Sequence, residues 1–327
     1  MENEEKKTII QAEEIASVTA DSASQQTDAS AENQDFTPEQ ESPENATADT
    51  TRDTRRPHWA DALVAIAIFF VSQFIGGLIS TLLGITPPDP SLLASSDIDT
   101  LAEASSLQAK FIACTTLFAM VLCFGFMAIY IRTRRMGKIL SFRTPGWASP
   151  FRLLCGYFML WIFTIAIEPL ADKLPGNQEV LGSGGWLLIS AIFLAPIFEE
   201  IIFRGYIGGT LRKAYGATSA WLVSSILFGL VHGIPSVILP ATLSGLVLGF
   251  YYLRYRSLIL VIILHAMNNI TACFLLSLGL EDVSMRQMIG DDRIYWVVYA
   301  LCVSIAIRAL ARMYQIVREL TKEKYLP

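Results

Sequence analysis

Residues Trp186–Ile207 read WLLISAIFLAPIFEEIIFRGYI, and this stretch decides the fold. It is long enough to cross a bilayer as one helix, which takes about 20 apolar residues. Yet Glu199, Glu200 and Arg204 sit inside it. A charged side chain at bilayer depth costs at least about 2.5–3.5 kcal/mol on insertion scales, so such residues face a protein interior or a water-filled cavity and have a task there. Two further apolar runs carry His232 and His265. The chain has 3 histidines, and the third, His58, lies in a polar flank before the first apolar run.

Working outward, the whole composition agrees with that stretch. Of 327 residues, 53% are hydrophobic and 17% charged, with a mean hydropathy of +0.45. Soluble domains carry about 25% charged residues. Apolar runs fall at about 60–85, 109–131, 151–170, 186–207, 217–234, 236–253, 258–280 and 294–313. The expected fold is therefore all-α, a polytopic membrane protein with about eight transmembrane helices. Residues 58–313 form the membrane domain, with 186–280 as its core and 314–327 as a short C-terminal tail.

The net charge of −5 hides an asymmetry, because residues 1–57 hold 14 acids and 5 bases (−9), leaving +4 on the remainder. That N-terminal segment is rich in Glu, Asp, Ser, Thr and Ala and nearly free of aromatics, a composition expected to stay disordered. With no apolar region after Met1 it is not expected to act as a cleavable signal peptide, and its acidity is not that expected of a transit peptide. No nucleic-acid partner is expected. Cys114, Cys123, Cys155, Cys273 and Cys302 stand singly in apolar runs and read as packing residues, not as a thiolate metal site.

Orientation follows from the Lys/Arg bias of short loops. Arg52, Arg55 and Arg56 precede the first span. Every second connection is then basic: Arg132–Arg143, Arg212–Lys213, Arg254–Arg256 and the C-terminal tail. The alternate connections, Thr86–Gln108, Ala171–Gly185, Gly233–Ser236 and Glu281–Arg293, are Pro-, Gly- or acid-rich. Both termini are thereby expected in the cytoplasm of a multi-pass cell-membrane protein. Ser141–Pro150, with Trp147, reads as an amphipathic stretch on the inner surface.

Helical spacing sorts the candidate residues. Glu200 and Arg204 are four apart with the acid N-terminal, the favourable order for an ion pair. Glu199 points about 100° away and is left to face a cavity. Phe228 precedes His232 by four residues, so its ring can pack beside the imidazole, and His265 precedes Asn269 by the same step. Counted at 1.5 Å per residue, Glu199, His232 and His265 reach overlapping depths in the membrane. An intramembrane His or Asn can also be interhelical hydrogen-bond glue, and Asn268 is read that way. Glu168, before Pro169, reads as interfacial and His58 as a solvated flank residue.

Glu199-Glu200-Ile-Ile-Phe-Arg204 matches EExxxR, Phe228–His232 matches FxxxH and His265–Asn269 matches HxxxN. In that order on separate membrane segments they resemble the CPBP intramembrane proteases, which include the CAAX prenyl endopeptidases and proteins of bacteriocin self-immunity. The resemblance covers roughly residues 150–280. It implies peptide-bond hydrolysis in a conical cavity open to the cytoplasm. Glu199 and His232 would activate a water, His265 and Asn269 would stabilise the oxyanion, and Glu200 and Arg204 would hold the framework. Glu199, His232 and His265 also make a two-His-one-carboxylate set for Zn2+, and the residues leave metal-assisted and metal-free readings open. The substrate would be a peptide or protein, prenylated or membrane-associated. A binding or immunity protein on the same scaffold, without turnover, is the alternative. A proton-coupled transporter is disfavoured because no inverted repeat stands out.

Overall fold

The computed structural model describes residues 56–142, 149–175, 182–280 and 283–322. The N-terminal segment 1–55 and the greater part of the Ser141–Pro150 stretch lie outside the described residues. The chain is an all-α polytopic membrane protein. Among the described residues its helices are α1 (Trp59–Leu82), α2 (Pro90–Leu93), α3 (Ile98–Arg134), α4 (Ser149–Ala171), α5 (Gly185–Tyr215), α6 (Ala217–Leu230), α7 (Pro235–Tyr255), α8 (Leu258–Ser277), α9 (Met285–Ile289) and α10 (Asp292–Lys322). Seven of them (α1, α3, α4, α5, α7, α8 and α10) are long and apolar enough to cross a membrane.

The fifth expected span, 217–234, is shorter than its apolar run. Helix α6 has 14 residues, about 21 Å of rise against a hydrocarbon core of about 30 Å. The run 217–234 does not continue as helix because Gly233, at φ +72°, turns the chain and Pro235 opens α7. Two other expected boundaries move outward. Much of Thr86–Gln108 is helical, since Asp97 caps α3 by accepting from Thr100 N at 3.1 Å. The C-terminal helix runs on to Lys322 instead of ending near 313, because Met313 and Val317, one turn apart, are buried. Its Thr321 hydroxyl accepts from Thr218 N at 2.9 Å, supplying the N-terminal cap that Gly216 cannot give α6.

The first two spans are pinned at one end by a group that periodicity hides. Asp61, 3% exposed, accepts from Tyr130 Oη at 2.7 Å and pairs with Arg134 at 3.0 Å. Its second oxygen accepts from His58 N at 2.6 Å, closing a capping box at the start of α1. His58 is therefore the cap of α1, not only a solvated flank residue.

Helix α5 is irregular, and that irregularity positions the site. Its α-helical turns are interrupted by π-helix at Ile189–Leu194 and Glu200–Gly208. Pro196 carries no N–H for the carbonyl four residues back, Ile192. The i→i+5 register of the first π segment removes that demand. Around α5 the core is aromatic: Phe69 stacks on Phe198 at 5.4 Å, and Phe203 meets Phe228 edge-on at 5.4 Å. Helices α6 and α7 pack at glycine distance. A Cβ at Gly229 would lie 2.6 Å from the Ile238 carbonyl oxygen and 2.0 Å from Thr242 Oγ1. Trp221 Nε1, on α6, donates to Leu246 O of α7 at 2.7 Å.

Candidate active site

Three elements deliver the polar residues to one place: the middle of α5, the end of α6 and the first half of α8. Glu200 and Arg204 form the expected ion pair at 3.0 Å, and both side chains are completely buried. They do so inside the second π segment, where the chain is wound more widely than the α-helix that the spacing predicts. Arg204 Nη2 also donates to Gly245 O at 3.3 Å, and its guanidinium lies 4.1 Å from the centre of the Phe228 ring.

Glu200 does a second thing that sequence spacing does not reveal. Its Oε1 accepts from His265 Nδ1 at 2.9 Å. The Arg204–Glu200–His265 chain fixes which imidazole nitrogen carries the proton. The remaining nitrogen, Nε2, then points toward Glu199, with 3.8 Å between it and Glu199 Oε2. The two acids differ as their places on the helix predict: Glu199 keeps 23% of its side chain exposed, whereas Glu200 has none.

His232 arrives differently from expectation. It lies in the turn just past α6 and not within a helix. Its Nδ1 donates to the Phe228 carbonyl at 2.8 Å. A carbonyl only accepts, so Nδ1 holds the proton and Nε2 is left available. Phe228 packs against His232 at 5.2 Å, as the spacing predicts, and against His265 at 5.8 Å. Both imidazoles are within electrostatic range of Glu199. The nearer partner, however, is His265, not the His232 of the expected Glu199–His232 pair.

Asn269 lies one turn beyond His265, and its Nδ2 donates to Ala191 O at 2.8 Å. One amide hydrogen is therefore spent on the first π segment, and the other remains for a substrate oxygen. Asn268 diverges onto another face of α8, against α4.

The donor chemistry of Glu199, His232 and His265 suits zinc, since each imidazole has one nitrogen fixed by an acceptor, as metal ligands commonly do. Their placement does not. Among the described residues no three His, Cys, Asp or Glu side chains converge closely enough to hold a metal ion.

Comparison with known proteins supplies independent context. Residues 182–271, which contain all three motifs, match the family model described as type II CAAX prenyl endopeptidase Rce1-like. The chain is 26% identical over 234 residues to a protein of Bacillus subtilis (strain 168) named "Putative membrane peptidase YdiL". That alignment covers 68% of this chain and 84% of the relative. It is 32% identical over 98 residues to the UPF0177 protein YxdF of Lactococcus lactis subsp. lactis (strain IL1403), covering 29% of this chain and 54% of the relative. No solved structure matches the chain significantly. The family match thus falls on the segment whose EExxxR, FxxxH and HxxxN residues gather around one buried ion pair, and in that segment the chain is similar to the CPBP intramembrane proteases.

Proposed function

We propose that the chain is an endopeptidase that hydrolyses a peptide bond at the Glu199–His265 pair, with a water as nucleophile. The observation that carries this reading is the relay Arg204–Glu200–His265–Glu199, closed at its buried end and accessible at the other. A gap of 3.8 Å between Glu199 Oε2 and His265 Nε2 suits a water resting against both atoms. Glu199 accepts the proton as that oxygen attacks the scissile carbonyl, and later passes it to the leaving amine. Two donors serve the developing oxyanion: the free amide hydrogen of Asn269 and, when protonated, Nε2 of His232. Glu200 and Arg204 touch neither water nor substrate and act as positioning residues, holding His265 in one tautomer and orientation. The proton thus moves from water to Glu199 and from Glu199 to the leaving amine, while the water oxygen stays on the new carboxyl group.

The substrate in this reading is a peptide or protein segment associated with the bilayer, a class that includes prenylated CAAX-type peptides. The protein would sit in the cell membrane with both termini in the cytoplasm. The test is cleavage by the purified chain of a peptide library in detergent or nanodiscs, read by mass spectrometry. Glu199→Gln and His265→Ala should each abolish product formation while leaving the protein folded and inserted. Near-normal turnover by Glu199→Gln would sink the mechanism. Complete inactivity of the parent protein, with tight retention of a peptide, would favour the immunity or binding alternative.

A further inference from the structure

Away from the catalytic cluster, a cleft of about 540 Å3 opens between α4, α8 and the residues Leu280, Val283, Ser284, Met285 and Met288. Its volume falls within the range of ligand sites, about 300–1,000 Å3. Helix α8 itself separates it from the cluster: His265 and Asn269 face α5, whereas Asn268, Ala272 and Leu275 line the cleft. None of the catalytic side chains named above contributes to it.

The walls are preformed. Glu168 Oε1 accepts from Met285 N at 2.5 Å, tying the short helix α9 across the end of α4. Ser284 and Gln287 close a capping box on α9, and Arg286, its second residue, ties it to the start of α10 through two bonds to Asp292, at 2.8 and 2.7 Å. Along α4 the lining is graded. Trp161 lies deepest by helix position, Ile165 and Glu168 follow one and two turns on, and Asp172 stands just past the helix end. Glu168 Oε2 and Trp161 Nε1 are both shielded from solvent and bonded to no protein group. The described lining carries two carboxylates and no Lys, Arg or His.

We propose that this cleft binds a cationic, apolar segment of a peptide, with an apolar side chain against Trp161 and Leu275 and a neighbouring lysine or arginine at Glu168 and Asp172. A basic head meets the unshared carboxylate oxygen, the indole N–H meets a backbone carbonyl of the same segment, and the apolar wall takes the adjoining side chain. The charge pattern favours a peptide over an aminophospholipid. A lipid ammonium brings a phosphate with it, and that phosphate would face two carboxylates with no cation among the described lining residues to receive it.

The probe is the acetylated, amidated tripeptide Leu-Lys-Leu, titrated by calorimetry into the full chain carrying Glu199→Gln, so that binding is read without turnover. Its Kd should be about ten-fold lower than that of the norleucine analogue, the discrimination of one charge-assisted hydrogen bond. Glu168→Gln combined with Asp172→Asn should abolish that preference, and high salt should weaken it. Leu275→Trp, which fills the cleft without touching a charge, should remove binding of both peptides. Equal affinity for the lysine and norleucine peptides would overturn the proposal, as would binding that survives Leu275→Trp in a folded protein. Displacement of the peptide by phosphatidylethanolamine but not phosphatidylcholine would instead assign the cleft to a lipid headgroup and refute the peptide assignment.

Discussion

Removing Glu200 and Arg204 separately and together tests the buried end of the relay. The pair is 3.0 Å apart with no exposure on either side, so losing one partner leaves the other as an uncompensated charge at bilayer depth. Breaking a buried pair in this way typically costs about 3–5 kcal/mol, whereas replacing both members is often nearly neutral. Glu200→Gln retains an oxygen to accept from His265 Nδ1, so its cost isolates the charge. Arg204→Met additionally loses the bond to Gly245 O and the contact over Phe228. Those losses recur in the double variant and cancel in a double-mutant cycle, leaving a coupling of about 2–3 kcal/mol. Read as melting temperature in a single detergent, each single variant should fall by roughly 10 °C, and the double variant should recover part of that fall. Glu199→Gln should change stability little, because the Glu199 side chain is partly exposed and its nearest basic nitrogen, His265 Nε2, is 3.8 Å away. Additive losses at Glu200 and Arg204 would refute the reasoning. The two acids would then have no division of labour that the ion pair explains.

Three further outcomes follow from the geometry. Single cysteines placed in Thr86–Gln108 and Glu281–Arg293 should label from outside intact cells, whereas those in Arg132–Arg143 should not; outside labelling of Arg132–Arg143 would reverse the expected orientation. Gly229→Ala drives a methyl group into the Ile238 carbonyl and Thr242, so it should lower stability by about 1–3 kcal/mol, as overpacking does, and reduce turnover with it by shifting the end of α6 that carries His232; unchanged melting and activity would show that α6 and α7 do not pack this closely. Because Glu199, His232 and His265 do not converge as a metal-holding group, exhaustive dialysis against a chelator should leave turnover intact, and stoichiometric zinc lost specifically in His232→Ala would overturn that expectation.

Much of this arrangement is legible in the sequence because membrane burial makes polar residues conspicuous. The Glu200–Arg204 pair, the differing exposure of Glu199 and Glu200, and the contact of Phe228 with His232 all follow from residue spacing on a helix. What spacing cannot show is contact between helices. That His265 bonds Glu200, and so lies nearer to Glu199 than His232 does, depends on the rotation of α8 relative to α5. No one-dimensional pattern encodes that angle. The end of α6 is a smaller miss of the same kind. Residues 217–234 are apolar throughout, yet Gly233 and Pro235 break the helix, and hydropathy does not register backbone geometry. Asp61 carries no signal of its own in the sequence, because a single acid at the start of a span looks interfacial. Only the approach of Tyr130 and Arg134, about seventy residues along, reveals it as a buried anchor.

The π segments of α5 bind these observations into one argument. An α-helix presents side chains to a neighbour in a fixed rotation, and the EExxxR spacing alone secures only the Glu200–Arg204 pair. Placing Glu200 against α8 and Glu199 beside the same imidazole requires both acids to lie close to His265, although they diverge around an α-helix by about 100°. The change of winding falls between Glu199, the last residue of an α-helical turn, and Glu200, the first of the wider one. π-Helical turns are less stable than α-helical ones and are found frequently at functional sites. Here the wider turn lies among tightly packed aromatic residues and is braced by the bond from Arg204 to Gly245, while Asn269 braces the first π segment through Ala191. The local cost of irregular winding is thus offset by contacts from α7 and α8, and the result is a single histidine reached by both carboxylates, one sealed in the core and one open to water.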